Sequence, residues 1–232
     1  MIGLTRDGEG IWIPRNGRGS LALIGGPDPA AANGNQQLGG DAHISAAQLV
    51  EFANHVEGEV RLPDIQIGMN PRLGLVAVPT WFWVRPDTYA GQDLTASDNL
   101  VVTRLECHRE EDHDPTTGAV SGSHDNCHEV KDVYHVEVRL SRPTFVWNFG
   151  DGTVRLGSLG RGYPEPSDVT HAYNDSSLHA PGGYPIDLSV IWTARFRVSG
   201  AAALEGTLAD AVHTYGPYPH PVQEAQAILA GR

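Results

Sequence analysis

Apolar and polar residues alternate with a period of two over most of the second half of the chain, the spacing of half-buried β-strands. Residues 99–106 and 130–140 alternate in this way. The segment 141–149 ends in Val146, Trp147, Asn148 and Phe149, again alternating. Residues 184–198 are long and apolar, with Ile186, Leu188, Val190 and Trp192 on one face. Segments 204–208 and 222–229 complete the series. Short strands separated by Gly, Pro, Asn and Asp predict sheet packed on sheet.

One stretch breaks this period. From Ser45 to Glu57 the apolar residues Leu49, Val50, Phe52, Ala53 and Val56 recur at helical spacing. Ser45 is a capping residue, Gln48 stands at the capping-box position and Gly58 ends the helix. Residues 1–43 are instead rich in Gly, Asn and Pro, with one short strand expected within 8–14 and turn chemistry at 25–29 and 33–35. This arm carries Ile11, Trp12, Ile13, Leu21 and Leu23, apolar enough to dock on another subunit. The predicted organisation is therefore an extended arm (1–43), a helix with lead-in strands (44–98), and a β-sandwich (99–229) that includes a hairpin at 107–128.

Between two of the strands lies Trp147-Asn148-Phe149-Gly150-Asp151-Gly152, followed by His171-Ala172-Tyr173 and then by Gly183-Tyr184-Pro185-Ile186-Asp187-Leu188-Ser189-Val190. This series resembles the PKD domain, whose pattern runs W-D-F-G-D-G, H-x-Y, G-x-Y-x-V-x-L-x-V. Asn148 departs from it by standing where the family has Asp. Residues 73–83 and 218–229 extend the resemblance to PKD-containing cell-envelope proteins of high-GC Gram-positive bacteria, over roughly 45–229. The resemblance implies an immunoglobulin-like β-sandwich outside the cytoplasm. It assigns structural roles to Trp147, Phe149, Gly150, Asp151, Gly152, His171 and Tyr173, and it implies no reaction.

Composition narrows the partners. The chain has 232 residues, 40% of them hydrophobic, with 27 Gly and 16 Pro, which suits a turn-rich β protein with a core. Its formal charge of −12 disfavours nucleic acid and anionic membranes. No apolar run of about 18 residues is present to span a bilayer. Residues 1–7 lack the features of a signal peptide, so an exported protein would owe its export to a leader not seen here or to another route.

Residues 107–128 form the segment that lengthens the family's turn. Pro115-Thr116-Thr117-Gly118 suits a β-turn. With the tip near 117, Cys107 and Cys127 face each other across a hairpin at a separation a disulfide bridges, and an extracellular setting favours that bond. A competing reading is zinc held by Cys107, Cys127 and the histidines His108, His113, His124 and His128. Strand alternation turns Cys107 and His108 to opposite faces, which weighs against it. Elsewhere, Trp81 and Trp83 share a face suited to sugars but are expected in the core, and Asp151 is expected to bind backbone rather than calcium. G-x-S-x-G, H-E-x-x-H and phosphate-loop patterns are absent. The expectation is a non-catalytic module without cofactor, working by protein–protein assembly as a homo-oligomer or filament. Glycan binding and metal binding by the histidine hairpin are the alternatives.

Overall fold

The computed structural model describes residues 44–225, together with the backbones of two short N-terminal strands, β1 (Leu4–Arg6) and β2 (Trp12–Pro14), which pair antiparallel. Ile11, Leu21, Leu23 and the side chains of Trp12 and Ile13 lie outside the described residues. The one α-helix among the described residues is α1 (Ala46–Gly58). Its capping box is complete: Gln48 N–H donates to Ser45 Oγ at 3.3 Å and Ser45 N–H donates to Gln48 Oε1 at 3.0 Å. The helix runs through Gly58, and Glu59 caps it in a right-handed conformation. Its buried face is Leu49, Ala53, Val56 and Glu57, so a carboxyl is buried along with the apolar stripe.

The strands are β3 (Ile67–Asn70), β4 (Gly74–Leu75), β5 (Thr80–Val84), β6 (Leu94–His113), β7 (Val120–Asn148), β8 (Val154–Gly157), β9 (Thr170–His171), β10 (Tyr184–Gly200), β11 (Leu204–Thr207), β12 (Ala211–His220) and β13 (Val222–Gln223). With α1 as their main helical companion, they make the chain all-β in class. The six-stranded sheet has β7 and β10 at its centre. β6 and β8 share the outer edge of β7, while β11 and β12 share the outer edge of β10. A three-stranded sheet, β3-β5-β9, and a short parallel pair, β4 with β13, complete the set. β12 was not expected from its sequence, which contains Gly216, Pro217 and Pro219. It lies at a sheet edge, where missing N–H donors are tolerated.

Parity along β7 explains how one face stays buried from end to end. Tyr134, Val136, Val138 and Leu140 are buried at even positions, then Phe145 and Trp147 at odd ones. The switch falls at a bulge: Thr193 pairs with Ser141 but Ile191 pairs with Thr144. Arg142, at φ 50°, takes up the extra residue. β10 needs no such switch, and Ile186, Leu188, Val190, Trp192, Ala194, Phe196 and Val198 are all buried.

Helix α1 packs on β6, β7 and β10. The small sheet packs through Phe82, whose ring lies 6.4 Å from Trp147 and 5.2 Å from Phe149. One continuous core joins Leu49, Phe82, Trp147, Trp192 and Val222. The division at 98/99 falls inside β6, and the lead-in strand β5 pairs with β9, so both segments build that core. Trp81 and Trp83 depart from expectation. On β5 the buried residues are Thr80, Phe82 and Val84, and both tryptophans turn to the outer, partly exposed face. A single strand cannot direct adjacent residues to the same side, and Phe82 takes the inner position.

Candidate functional site

The glycine turn after β7 gathers the motif residues. Gly150 has φ 79°, and a Cβ there would meet the Pro185 backbone at 2.7 Å, so glycine is required. Gly150 N–H donates to Asn148 Oδ1 at 3.1 Å, so the Asn148 side chain braces the turn. Asp151 accepts from Thr153 N–H at 2.9 Å and pairs with His171 Nε2 at 2.7 Å. His171 stacks on Phe149 at 4.4 Å and meets Tyr173 edge-on at 4.6 Å. Tyr173 donates its hydroxyl to the Phe149 carbonyl at 3.2 Å.

Burial would raise the Asp151 carboxyl, but the bonds from His171 and Thr153 outweigh it and hold the group below the usual carboxylate range. Burial raises Tyr173, and the nearby Asp151 charge adds to the shift. His220, which sequence reasoning passed over, belongs to this cluster. It lies 5.4 Å from Tyr173 and 3.4 Å from Thr80 Oγ1. Burial, then the proximity of His171, lowers it to about 4, so it is neutral at physiological pH. The cluster ties β5, β7, β9 and β12 together, and its named polar contacts are internal.

The lengthened hairpin has a different character. β6 and β7 pair continuously from Leu94↔Leu140 to Asp112↔Gly122, so the expected insertion is the distal part of one long ribbon. Residues 107–129 are exposed on both faces except for Asp114. At the tip, Asp114 Oδ1 accepts from Thr116 N–H at 2.7 Å and Thr117 N–H at 2.9 Å. Cys107 pairs directly with Cys127, and their sulfurs stand at bonding distance, 2.06 Å.

The two faces of this ribbon differ. One carries Val101 opposite Val133, then Leu105, then the cysteine pair. Leu105 is 68% exposed and Val101 52%. The other carries Arg104, bonded to Glu106 and to Asp132, followed by His128, His108, Glu110, His124 and Asp112. His124 Nδ1 lies 2.8 Å from Asp112, and the His108 and His128 rings stack at 5.9 Å. His113 stands apart, beyond a register shift, with its Nδ1 3.3 Å from the Gly118 carbonyl. The sulfurs therefore face away from the three grouped histidines. Among the described residues, no three His, Cys, Asp or Glu are placed to hold a metal ion together.

No protein-family model, no curated protein and no solved structure matches this chain. No helix among the described residues is long and apolar enough to cross a membrane. The sequence pointed to the motif cluster and to the cysteine pair. It did not point to Glu57 or His220, whose burial is set by contacts between distant elements.

Proposed function

We propose that this chain is a non-catalytic, PKD-like module of immunoglobulin-like architecture that acts outside the cytoplasm by binding protein. The Asp151–His171 pair, the Phe149 stack and the Tyr173 hydroxyl bond support the PKD-like reading, because they give each motif residue a structural task. The exposed cysteine pair supports the location: a bond between such accessible sulfurs persists in an oxidising compartment and is reduced in a cytosol.

The single observation that carries the binding function is the two-faced ribbon beyond Leu100. A free-standing pair of strands loses conformational entropy without a core to offset it, and bare hairpins are marginal in water. Here a covalent cross-link stands where packing is absent. The face that carries this link also exposes Val101 and Val133 and, beyond the Thr103–Lys131 pair, Leu105, and exposed apolar side chains of this kind suit docking against another protein surface. A second copy of this chain is the first partner to test, giving the homo-oligomer or filament expected above.

Replacing residues 103–131 with a two-residue turn, together with Val101→Ser and Val133→Ser, removes the exposed apolar residues and the cross-link and provides the test. Equilibrium sedimentation of the parent should show self-association that the shortened variant loses, while both melt at the same temperature. A parent that stays monomeric at high concentration, or a variant that assembles like the parent, would overturn the assembly function.

A further inference from the structure

A groove lies on the outer face of the small sheet, apart from the ribbon. The outer face of β5 carries Trp81 and Trp83 where a solvated strand ordinarily carries polar residues. The loop from Ser158 to Asp168 crosses this face. It is held by Ser158, which bonds Asp168 through both N–H and Oγ, and by Arg161 N–H donating to Ser167 Oγ. It brings Tyr163 edge-on to Trp81 at 5.4 Å, yet Tyr163 stays 58% exposed. Opposite Trp83 in register is Gly68, where an added Cβ would overlap the indole at 2.2 Å. The missing side chain lets Trp83 lean across β3 and form part of a groove of about 900 Å³.

The polar lining of this groove is specific in kind. Asn70, Arg72, Arg85 and Asp87 reach it, each with a planar head able to make two hydrogen bonds. Arg85 and Asp87 hold each other, Nε to Oδ1 at 3.2 Å and Nη2 to Oδ2 at 2.7 Å. The side chains of Asn70 and Arg72 have no hydrogen-bond or ion-pair partner among the described residues. Aromatic carbon beside planar two-point donors and acceptors fits a pyranose ring, which is apolar on its C–H faces and hydroxylated at its rim. An arginine without a counter-charge, in a chain of net −12, adds a preference for a sugar carrying a carboxylate.

We propose that this groove binds a glycan, with uronic acid units preferred over neutral ones. Trp83 and Tyr163 give the apolar contact. Asn70 and the Arg85–Asp87 pair bond hydroxyls, and Arg72 pairs with the carboxylate. This site goes beyond the assembly function and does not depend on the ribbon.

Titration calorimetry on the full chain tests it with two probes, a short oligogalacturonide and a cello-oligosaccharide of equal length. The oligogalacturonide should bind more tightly. Arg72→Gln should erase that preference, weakening the acidic probe by about tenfold, the usual value of one charge-assisted hydrogen bond, while leaving the neutral probe unchanged. Tyr163→Ala, a substitution on an exposed loop that the core does not feel, should weaken both. The ribbon-shortened variant should bind like the parent, which separates this site from the assembly surface. Absence of binding to both probes would overturn the proposal. So would binding that ignores Tyr163→Ala and Arg72→Gln, or occupation of the groove by a proline-rich peptide in preference to either glycan.

Discussion

Glu57 and His220 show how two buried residues can hide each other's effects. Glu57 is 3% exposed, and neither carboxyl oxygen has a hydrogen-bond partner. Burial, then the charge of Asp210, raises it from 4.5 to about 7. Its stabilising contribution is complete below pH 4.5 and is lost as pH rises through 7. A shift of that size corresponds to about 3 kcal/mol. His220 runs the other way. Its ordinary value of 6.5 falls to about 4, so its contribution is complete above 6.5 and is lost as pH falls toward 4. Between pH 4.5 and 6.5 the two slopes oppose each other. Glu57→Gln should therefore do more than stabilise the protein at neutral pH. It should also uncover a loss of stability on acidification from pH 6.5 to 4.5 that the parent largely lacks. Denaturant midpoints across that range measure it, and parallel pH profiles for parent and variant would refute it. Trp147 makes a plainer case. It is fully buried and donates Nε1–H to the Ser158 carbonyl at 3.1 Å. Trp147→Ala should cost about 3–5 kcal/mol in chemical denaturation, and a midpoint within error of the parent would contradict that.

Elements were legible in the sequence where one local rule governed them. The capping box fixed α1, and alternation with the W-N-F-G-D-G turn marked β7 and β10. The cysteine register followed from counting outward from a turn. What escaped notice depends on partners distant in sequence. β7 was expected as separate strands at 130–140 and 141–149, because the bulge at Arg142 shifts the apolar period between them. Trp81 and Trp83 were expected inside because large aromatics usually are, and only the position of Phe82 in the core reverses that. The groove was hidden for a similar reason, since it needs Gly68, Trp83 and Tyr163 together, from three elements. Within the ribbon, the cysteine pair carries its own prediction. Native protein treated with an alkylating agent should show no reactive thiol, and two labelled cysteines would refute the bond. After reduction, amide exchange should quicken over residues 103–131 while the core transition stays in place. The entropy of closing a loop of about twenty residues, about 3 kcal/mol, acts on the ribbon and not on the core.

For the whole molecule, the ribbon changes how the protein moves through water. From Cys107 to its tip the exposed part extends about 25 Å at the usual rise of a strand. A compact body of about 160 residues has a radius of gyration of about 15 Å. The projection therefore exceeds the radius of gyration of the body that carries it, and the drag on a tumbling particle grows with its longest axis. A single copy should migrate through a sieving column ahead of a globular standard of its own 24.9 kDa. Molar mass from light scattering, which does not depend on shape, distinguishes the elongated monomer from the genuine dimer.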